Sequence, residues 1–196
     1  MQFEINKKTG GLLALVAVIA FAFGALLMNQ SSEDDHGMHM DHDSGMMSNF
    51  GSSEVHFAQM MIPHHQQAIQ MSDIALKNSS NKAILDLATR IKAEQAPEIQ
   101  QMTGWLLAAG VDPNATHTMA MDGMLTDSEI TELKNTTGAK FDRLFLEGMI
   151  KHHEGALSML HLIKNSSNSE AKKLATDIER VQKQEIAEMK NYLNQD

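Results

Sequence analysis

The fold is decided by the stretch FLEGMIKHHEGALSMLHLI, residues 145–163, because a close counterpart occurs earlier in the chain. Residues 57–75 read FAQMMIPHHQQAIQMSDIA, so the motif Met-Ile-x-His-His at 149–153 also stands 88 residues earlier, at 61–65. In both stretches apolar, small or His residues recur at spacings of four, three, four, three and four. This is the periodicity of the buried face of a helix. The sequence therefore predicts two equivalent amphipathic helices.

A second shared block follows each of these helices. Residues 77–81 and 164–168 both read KNSSN, a polar turn, and a new helical stripe begins after each turn. Two helical hairpins bury their apolar faces most simply against each other. We therefore predict an all-α fold, an antiparallel four-helix bundle built from two duplicated hairpins. The returning stripes are Ile84, Leu87, Ile91, Glu98, Met102 and Trp105, and then Ala171, Leu174, Ile178, Val181, Glu185, Met189 and Tyr192.

The segment between the hairpins carries signals for a short extra helix. Thr126 and Glu129 have the spacing of a capping box, which starts a helix, and Gly138 is expected to end it. Pro63 and Pro97 each lack a backbone N–H, so each is expected to kink its helix or to mark a helix start. Neither proline recurs in the second copy, so the two halves cannot be identical in detail.

Composition limits the classes of partner. The formal net charge of −9 disfavours nucleic acid, because phosphate binding needs clustered Lys and Arg. The chain has no cysteine, which excludes disulfides and thiolate metal sites. It has 16 Met and 10 His, so a bound metal ion would be held by His, Met, Asp, Glu or backbone groups.

The N-terminal region predicts export. Residues 11–28 carry no charge and, as a helix, would span roughly 27 Å of hydrocarbon. Lysines precede this run and acidic residues follow it, so the positive-inside rule puts residues 1–10 in the cytoplasm and the remaining chain outside. A cleaved signal peptide is the alternative to a transmembrane anchor. Both interpretations give a periplasmic or cell-surface domain.

Two polar segments combine His with Met. Residues 29–52 read as a linker to the bundle domain at 53–196, and the segment between the hairpins has a similar composition. A solvated tether needs neither residue type, and an exposed loop has no packing need for Met. Both segments are therefore predicted to capture metal ions, with a plain tether as the alternative for the linker. The candidates are His36, Met38, His39, Met40 and His42 in the linker, and His117, Met119 and Met121 between the hairpins.

The Met-Ile-x-His-His motifs are the central candidate site. Side chains three or four apart share a helix face, so each motif sets a thioether beside imidazole. Adjacent histidines point about 100° apart, so we expect one of each pair to face the core and the other the edge. Burying imidazole requires polar partners, which favours ligation over packing alone. The predicted ligands are Met61, His64 and His65, and Met149, His152 and His153.

Four further residues on the buried stripes join the candidates. Glu98 and Glu185 would be costly to bury without a cation, although both could lie in water if the stripes fray. Met71 and Met159 are weaker candidates, because Met commonly fills gaps in a core. A metal site that has thioether ligands in place of hard carboxylates prefers copper to iron or manganese. The predicted ion is therefore Cu(I) or Cu(II), and zinc is less favoured.

The chain resembles a bacterial family known as domain of unknown function 305. The resemblance rests on MIPHHQQA at 61–68, FDRLFL at 141–146 and MIKHHEGA at 149–156, and it extends from about residue 56 to residue 193. It implies a ferritin-like, exported protein, and in parts of the family an association with copper handling. It implies no established activity.

Three functions remain open at this point. The first is extracytoplasmic copper binding, with sequestration or transfer of the ion and no catalysis. The second is a copper-dependent oxidoreductase, although no acid–base or nucleophile arrangement accompanies the candidate ligands. The third is a structural or interaction module without metal. Copper retention separates the first two from the third, and oxidase turnover would favour the second. Homo-oligomerisation is also open.

Overall fold

The two KNSSN blocks lie at the turns of two helical hairpins in the computed structural model, which describes residues 50–114 and 121–195. The first hairpin consists of α1 (Ser52–Asn78) and α2 (Lys82–Ala108). A short helix, α3 (Asp127–Asn135), precedes the second hairpin. That hairpin consists of α4 (Gly138–Met159), continued by a 3₁₀ turn at Leu160–Leu162, and α5 (Ser169–Leu193). The described residues are helical and contain no strand, as the periodicity predicts.

The returning helices begin at the last Asn of each KNSSN block. The side chain of Asn81 accepts a hydrogen bond from the backbone N–H of Ala83. The side chain of Asn168 accepts from two backbone N–H groups, those of Glu170 and Ala171. Each Asn thereby satisfies donors that a helix start leaves without partners, which ends the turn and fixes where the second helix begins.

The two helices of the first hairpin run in opposite directions. Asp73 near the end of α1 pairs with Lys92 of α2, while His65, two turns earlier, bonds Glu98 further along α2. In the second hairpin, His153 of α4 bonds Glu185 of α5. Both hairpins therefore have the same antiparallel register, in which the second histidine of the motif meets a glutamate of the returning helix.

The turn of each hairpin is tied to the first helix of the other. Ser79 Oγ donates to Asp142 Oδ1 of α4 at 2.5 Å. Ser166 Oγ donates to Glu54 Oε1 of α1 at 2.5 Å. Ser79 aligns with Ser166, and Glu54 with Asp142, when the two hairpin sequences are superposed. The hairpins thus hold each other through a reciprocal pair of contacts.

The core consists of two apolar clusters with a polar layer between them. One cluster combines the end of α1 and the start of α2 with α3, the start of α4 and the end of α5. The other combines the start of α1 and the end of α2 with the end of α4 and the start of α5. The buried polar residues at the middle of the helices belong to neither cluster. They are His64, His65, Gln95, His152, His153, Gln182 and Glu185.

Several local predictions can now be compared with the structure. The capping box of Thr126 and Glu129 is confirmed at the start of α3. The expectation that Gly138 ends this helix is wrong, because α3 ends at Asn135 and Gly138, with φ of +67°, begins α4. Pro63 and Pro97 lie inside α1 and α2, so neither marks a helix start.

The predicted membrane segment lies outside the described residues. Among the helices of residues 50–114 and 121–195, none is long and apolar enough to cross a bilayer. The transmembrane or signal segment at 11–28 and the linker at 29–52, apart from its last three residues, belong to the part of the chain not described here. Their assignment stays a prediction.

Candidate metal site

All four histidines of the two motifs lie in the polar layer. His64, His65, His152 and His153 each have a solvent-exposed fraction of 0%. The expectation that one histidine of each pair faces the edge of the bundle is therefore wrong. It fails because the returning helix of the same hairpin covers the second histidine and supplies it with a polar partner.

That partner is a carboxylate in both hairpins. His65 Nε2 donates to Glu98 Oε2 at 2.7 Å, and His153 Nε2 donates to Glu185 Oε2 at 2.7 Å. The Glu185 side chain is 7% exposed and the Glu98 side chain 16%, so the alternative in which both glutamates lie in water is wrong. A buried carboxylate needs such a donor, and the imidazole N–H needs an acceptor.

The remaining two histidines meet between the hairpins. The ring centroids of His64 and His152 lie 3.8 Å apart, with their planes inclined by 40°. His64 Nε2 donates to the carbonyl oxygen of Asp122 at 3.2 Å, and His152 Nε2 donates to the carbonyl oxygen of His64 at 2.9 Å. The convergence of histidines from the two half-domains, on which an internal ion site depends, is present in the structure.

These contacts define the protonation of all four rings. Carbonyl and carboxylate oxygens only accept hydrogen bonds, so the Nε2 atom of each ring carries the proton. In a neutral imidazole the other nitrogen, Nδ1, then keeps a free lone pair. None of the four Nδ1 atoms has a hydrogen-bond partner among the described residues. The layer therefore holds four buried Nδ1 atoms without a partner among the described residues, each of which offers a lone pair when its ring is neutral.

Electrostatics keep the central pair neutral. Burial, together with the positive charge that His65 could carry, lowers the pKa of His64 to about 3. Burial also holds the pKa of His152 well below its usual value, followed by repulsion from His64, His153 and His65. A neutral imidazole is the form that binds metal ions, so both rings are ready ligands at neutral pH.

The layer contains further buried oxygen and nitrogen atoms that lack a protein partner in the described chain. Oε1 of Glu185, Oε2 of Glu94 and both amide atoms of Gln95 are examples. Burial, together with the negative charge of Glu185, raises the pKa of Glu94 to about 7. Most of the buried atoms without a partner are hydrogen-bond acceptors, whose lone pairs a cation can satisfy.

The four methionine candidates divide into two groups. Met61 and Met149 are fully buried one turn before the histidines on the same helices. Met71 and Met159 lie seven residues after the central histidines, about 10 Å along the helix axis. All four methionines pack within the apolar clusters, so only their distance from the histidines along the helix separates the two groups. Position therefore favours Met61 and Met149 as the thioethers nearest the layer.

The other predicted ligands lie mainly outside the described residues. The candidates of the linker, His36, Met38, His39, Met40 and His42, lie outside the described residues, as do His117 and Met119 between the hairpins. Met121 is described and half-buried, in the stretch next to Asp122. Within residues 50–114 and 121–195, no three His, Asp or Glu side chains converge in an arrangement ready to hold a metal ion.

Sequence reasoning did not select several residues of this layer. Glu94 lies one turn before Glu98 on the same helix, a spacing that could have identified it. The carbonyl of Asp122 has no sequence signal, because any residue supplies a carbonyl. Gly155 interrupts a helical pattern at a cost in helix stability, and glycine is the residue that lets another backbone approach closely.

Comparisons with known proteins agree with this architecture. The profile of the family described as "Domain of unknown function (DUF305)" matches residues 54–193. A search of curated protein sequences finds no significant match. Among solved structures, a DUF305 fragment from Deinococcus radiodurans is 29% identical, with a TM-score of 0.68 over 74% of this chain and 97% of that chain. A DUF305 protein from Streptomyces coelicolor is 29% identical, with a TM-score of 0.69 over 74% and 93%.

A third solved structure carries a metal ion. CopM in the Cu(I)-bound form is 34% identical, with a TM-score of 0.63 over 72% of this chain and 96% of that chain. CopM has also been solved in Ag-bound and Cu(II)-bound forms, which match this chain with similar scores.

Proposed function

The chain belongs to the family described as domain of unknown function 305, and from that premise and the histidine layer we propose that it binds copper ions outside the cytoplasm and sequesters or transfers them. The single observation that carries the proposal is the set of four buried Nδ1 lone pairs. A histidine that only stabilises a core has both ring nitrogens satisfied or one of them in water. Here each ring is fixed through Nε2, and its second nitrogen is left for a ligand.

Copper is favoured over other ions by the donor types. Thioether and imidazole together suit Cu(I), while imidazole alone also accepts Cu(II) or zinc. Met61 and Met149 stand one helical turn from the histidine pairs, so each hairpin contributes the same kinds of donor. The relative CopM is known with Cu(I), Cu(II) and Ag bound, which supports a soft ion in the present chain as well.

The carboxylates are assigned as partners of ligands in this proposal. A metal-binding His commonly donates its other N–H to a carboxylate or a carbonyl, which orients the ring and raises its basicity. Glu98 and Glu185 accept such bonds from His65 and His153. Their first role is therefore to orient imidazole, and direct coordination by their free oxygens is secondary.

The remaining parts of the chain extend the same function. We infer that the helices form a ferritin-like, antiparallel four-helix bundle that arose by duplication. The apolar segment at 11–28 would tether the bundle to the outer side of a membrane. The His/Met-rich linker and loop would capture ions that the bundle then holds, and the metal ion is the cargo of the protein.

Copper binding by the full chain in detergent tests the proposal. The variant His64→Gln/His65→Gln/His152→Gln/His153→Gln keeps an N–H donor near the end of each side chain but removes the imidazole nitrogens. We expect Cu(I) affinity, measured by competition with a chromophoric Cu(I) chelator, to fall by more than about tenfold. Loss of a residue that only orients a ligand already costs this much.

A second variant controls for the loss of histidine outside the layer. His56→Gln/His161→Gln alters two histidines of the same domain that lie outside the layer, and His161 is exposed. This variant should bind Cu(I) as the wild type does. Equal affinities in the quadruple variant and the wild type, with circular dichroism showing both folded, would contradict the proposal and leave the linker and loop as the binding segments.

A further inference from the structure

A short segment between the hairpins is seated on the helix that carries His152. We call residues 121–125 the strap. A Cβ atom at Gly155 of α4 would overlap the carbonyl oxygen of Asp122 in the strap. A Cβ atom at Gly123 would lie 2.6 Å from the carbonyl oxygen of Lys151 and 2.8 Å from Cα of Gly155. The strap therefore touches α4 backbone to backbone, a contact that only glycine permits at both positions.

The other hairpin holds the strap by hydrogen bonds. Gln67 Nε2 of α1 donates to the carbonyl oxygen of Leu125 at 2.9 Å, and the Leu125 N–H donates to Gln67 Oε1 at 2.7 Å. Gln67 and Gly155 occupy equivalent positions of the two sequences, 88 residues apart. Gly155 leaves space for the strap, and Gln67 binds the strap by hydrogen bonds. The strap therefore has a fixed place between the hairpins.

This placement matters for one histidine of the layer. The carbonyl oxygen of Asp122 accepts the proton of His64 Nε2, whereas His152 donates to a carbonyl of α1 and has no contact of this kind with the strap. We propose that Gly155 and Gly123 are positioning residues, which seat the Asp122 carbonyl so that Nε2 of His64 stays protonated and Nδ1 keeps its lone pair. The inference rests on the proposed copper site and names what prepares one of its ligands.

The metal-free protein offers a readout that a general loss of stability does not move. The ¹⁵N chemical shifts of histidine rings distinguish Nε2–H from Nδ1–H tautomers. In Gly155→Ala, measured in the full chain with ¹⁵N-labelled histidine, we expect His64 to become a mixture of the two tautomers. His65 and His153, whose carboxylate partners lie on other helices, should keep the Nε2–H form.

Cu(I) affinity provides the second readout. Without its acceptor, His64 should bind less well, and the affinity for Cu(I) should fall about 10- to 100-fold, the usual effect of losing a group that orients a ligand. Gly104→Ala is the matched control, because a Cβ atom there meets nothing within 4 Å. It should leave both the tautomer and the affinity unchanged.

Gln67→Ala removes the hydrogen bonds of the strap without a steric clash, and it decides the question if Gly155→Ala does not fold. It should shift the His64 tautomer in the same direction. A pure Nε2–H tautomer of His64 and wild-type Cu(I) affinity in the folded variants would overturn the inference. If the wild type itself retains no Cu(I), the proposed function fails, while the tautomer measurement still decides the role of the strap.

Discussion

The two hairpins present the same groups to the centre of the bundle but hold them differently. His64 of the first hairpin is held by a carbonyl of the strap, and His152 of the second by a carbonyl inside helix α1. Glu98 reaches water to some extent, whereas Glu185 is almost completely enclosed. The types of side chain in the layer thus follow the repeated sequence, while the hydrogen bonds that hold them depend on residues that the two copies do not share.

Acid should produce the largest effect, and it should act on both halves equally. The folded pKa of His64 is about 3 and that of His152 is also lowered, while the unfolded values are near 6.5. Between these values only the unfolded chain binds the protons. The free energy of unfolding of the metal-free protein should therefore fall by about 1.4 kcal/mol per pH unit from His64 alone as pH drops from about 6 to 4, and His152 should add to the fall in the same direction.

Urea unfolding at several pH values measures this slope. His64→Gln and His152→Gln should each reduce this slope, because burial is the main cause of both pKa shifts. If one of these variants removed the whole pH dependence and the other none, the two halves would differ electrostatically, and the present comparison would be wrong.

Removal of the carboxylate partners should destabilise the two halves by different amounts. Glu185→Leu leaves the Nε2–H of His153 buried without an acceptor and should lower the free energy of unfolding by about 3 kcal/mol. Glu98→Leu should cost about 1 kcal/mol, because water can reach the N–H of His65 more readily. The control Glu179→Leu alters an exposed residue of α5 and should change little. Equal losses for the two partners would contradict the difference in burial.

Glu94 is a third difference, since the second hairpin has Val181 at the equivalent position. The raised pKa, about 7, means that the folded state binds the Glu94 proton more tightly than the unfolded state. This stabilising contribution is present at low pH and is lost as pH rises through about 7, a dependence opposite in sign to that of the histidines. Ionised Glu94 then repels Glu185.

Glu94→Val makes the two halves alike at this position. The stability of the variant relative to the wild type should increase as pH rises from 5 to 8. The increase should be under about 1 kcal/mol, because the carboxyl is partly solvated. Thermal unfolding at both pH values measures the difference. A gain that is the same at pH 5 and pH 8 would show that packing, and not charge, distinguishes the halves here.

The smallest expected difference concerns the turns. Asn168 accepts hydrogen bonds from two backbone N–H groups, while Asn81 accepts one. Asn168→Ala should cost about 1 kcal/mol and Asn81→Ala about 0.5 kcal/mol, the range typical of helix caps. Chemical unfolding measures both. A larger loss for Asn81→Ala would reverse the order and show that the caps act through other contacts.

The repeated sequence predicts the helices because burial of an apolar stripe depends on local spacing. Phe57, Met61 and His64 were placed on a buried face, and all three are fully buried. The depth of His65 and His153 could not be predicted in the same way. Their partners come from the returning helix, and the register across a turn can be judged only to about one helical turn from sequence.

The asymmetry of the site was equally out of reach. The bond between His64 and the strap uses the carbonyl of Asp122, and its placement depends on Gly123 and Gly155, which are distant in sequence. The helical spacing of Glu94 from Glu98 indicates the layer. A comparison of the two repeats misses Glu94, because its counterpart is a valine. A comparison of the two copies therefore identifies the side chains that they share, but not the residues that make the two halves of the layer differ.

The most direct test of the buried copper site follows the four imidazoles during addition of Cu(I) to the full chain labelled with ¹⁵N-histidine. The Nδ1 resonances of His64, His65, His152 and His153 should shift on binding, while their Nε2 atoms remain protonated. Cu(I) binding that leaves these four Nδ1 resonances unchanged, and shifts only histidines of the linker or the loop, would contradict it.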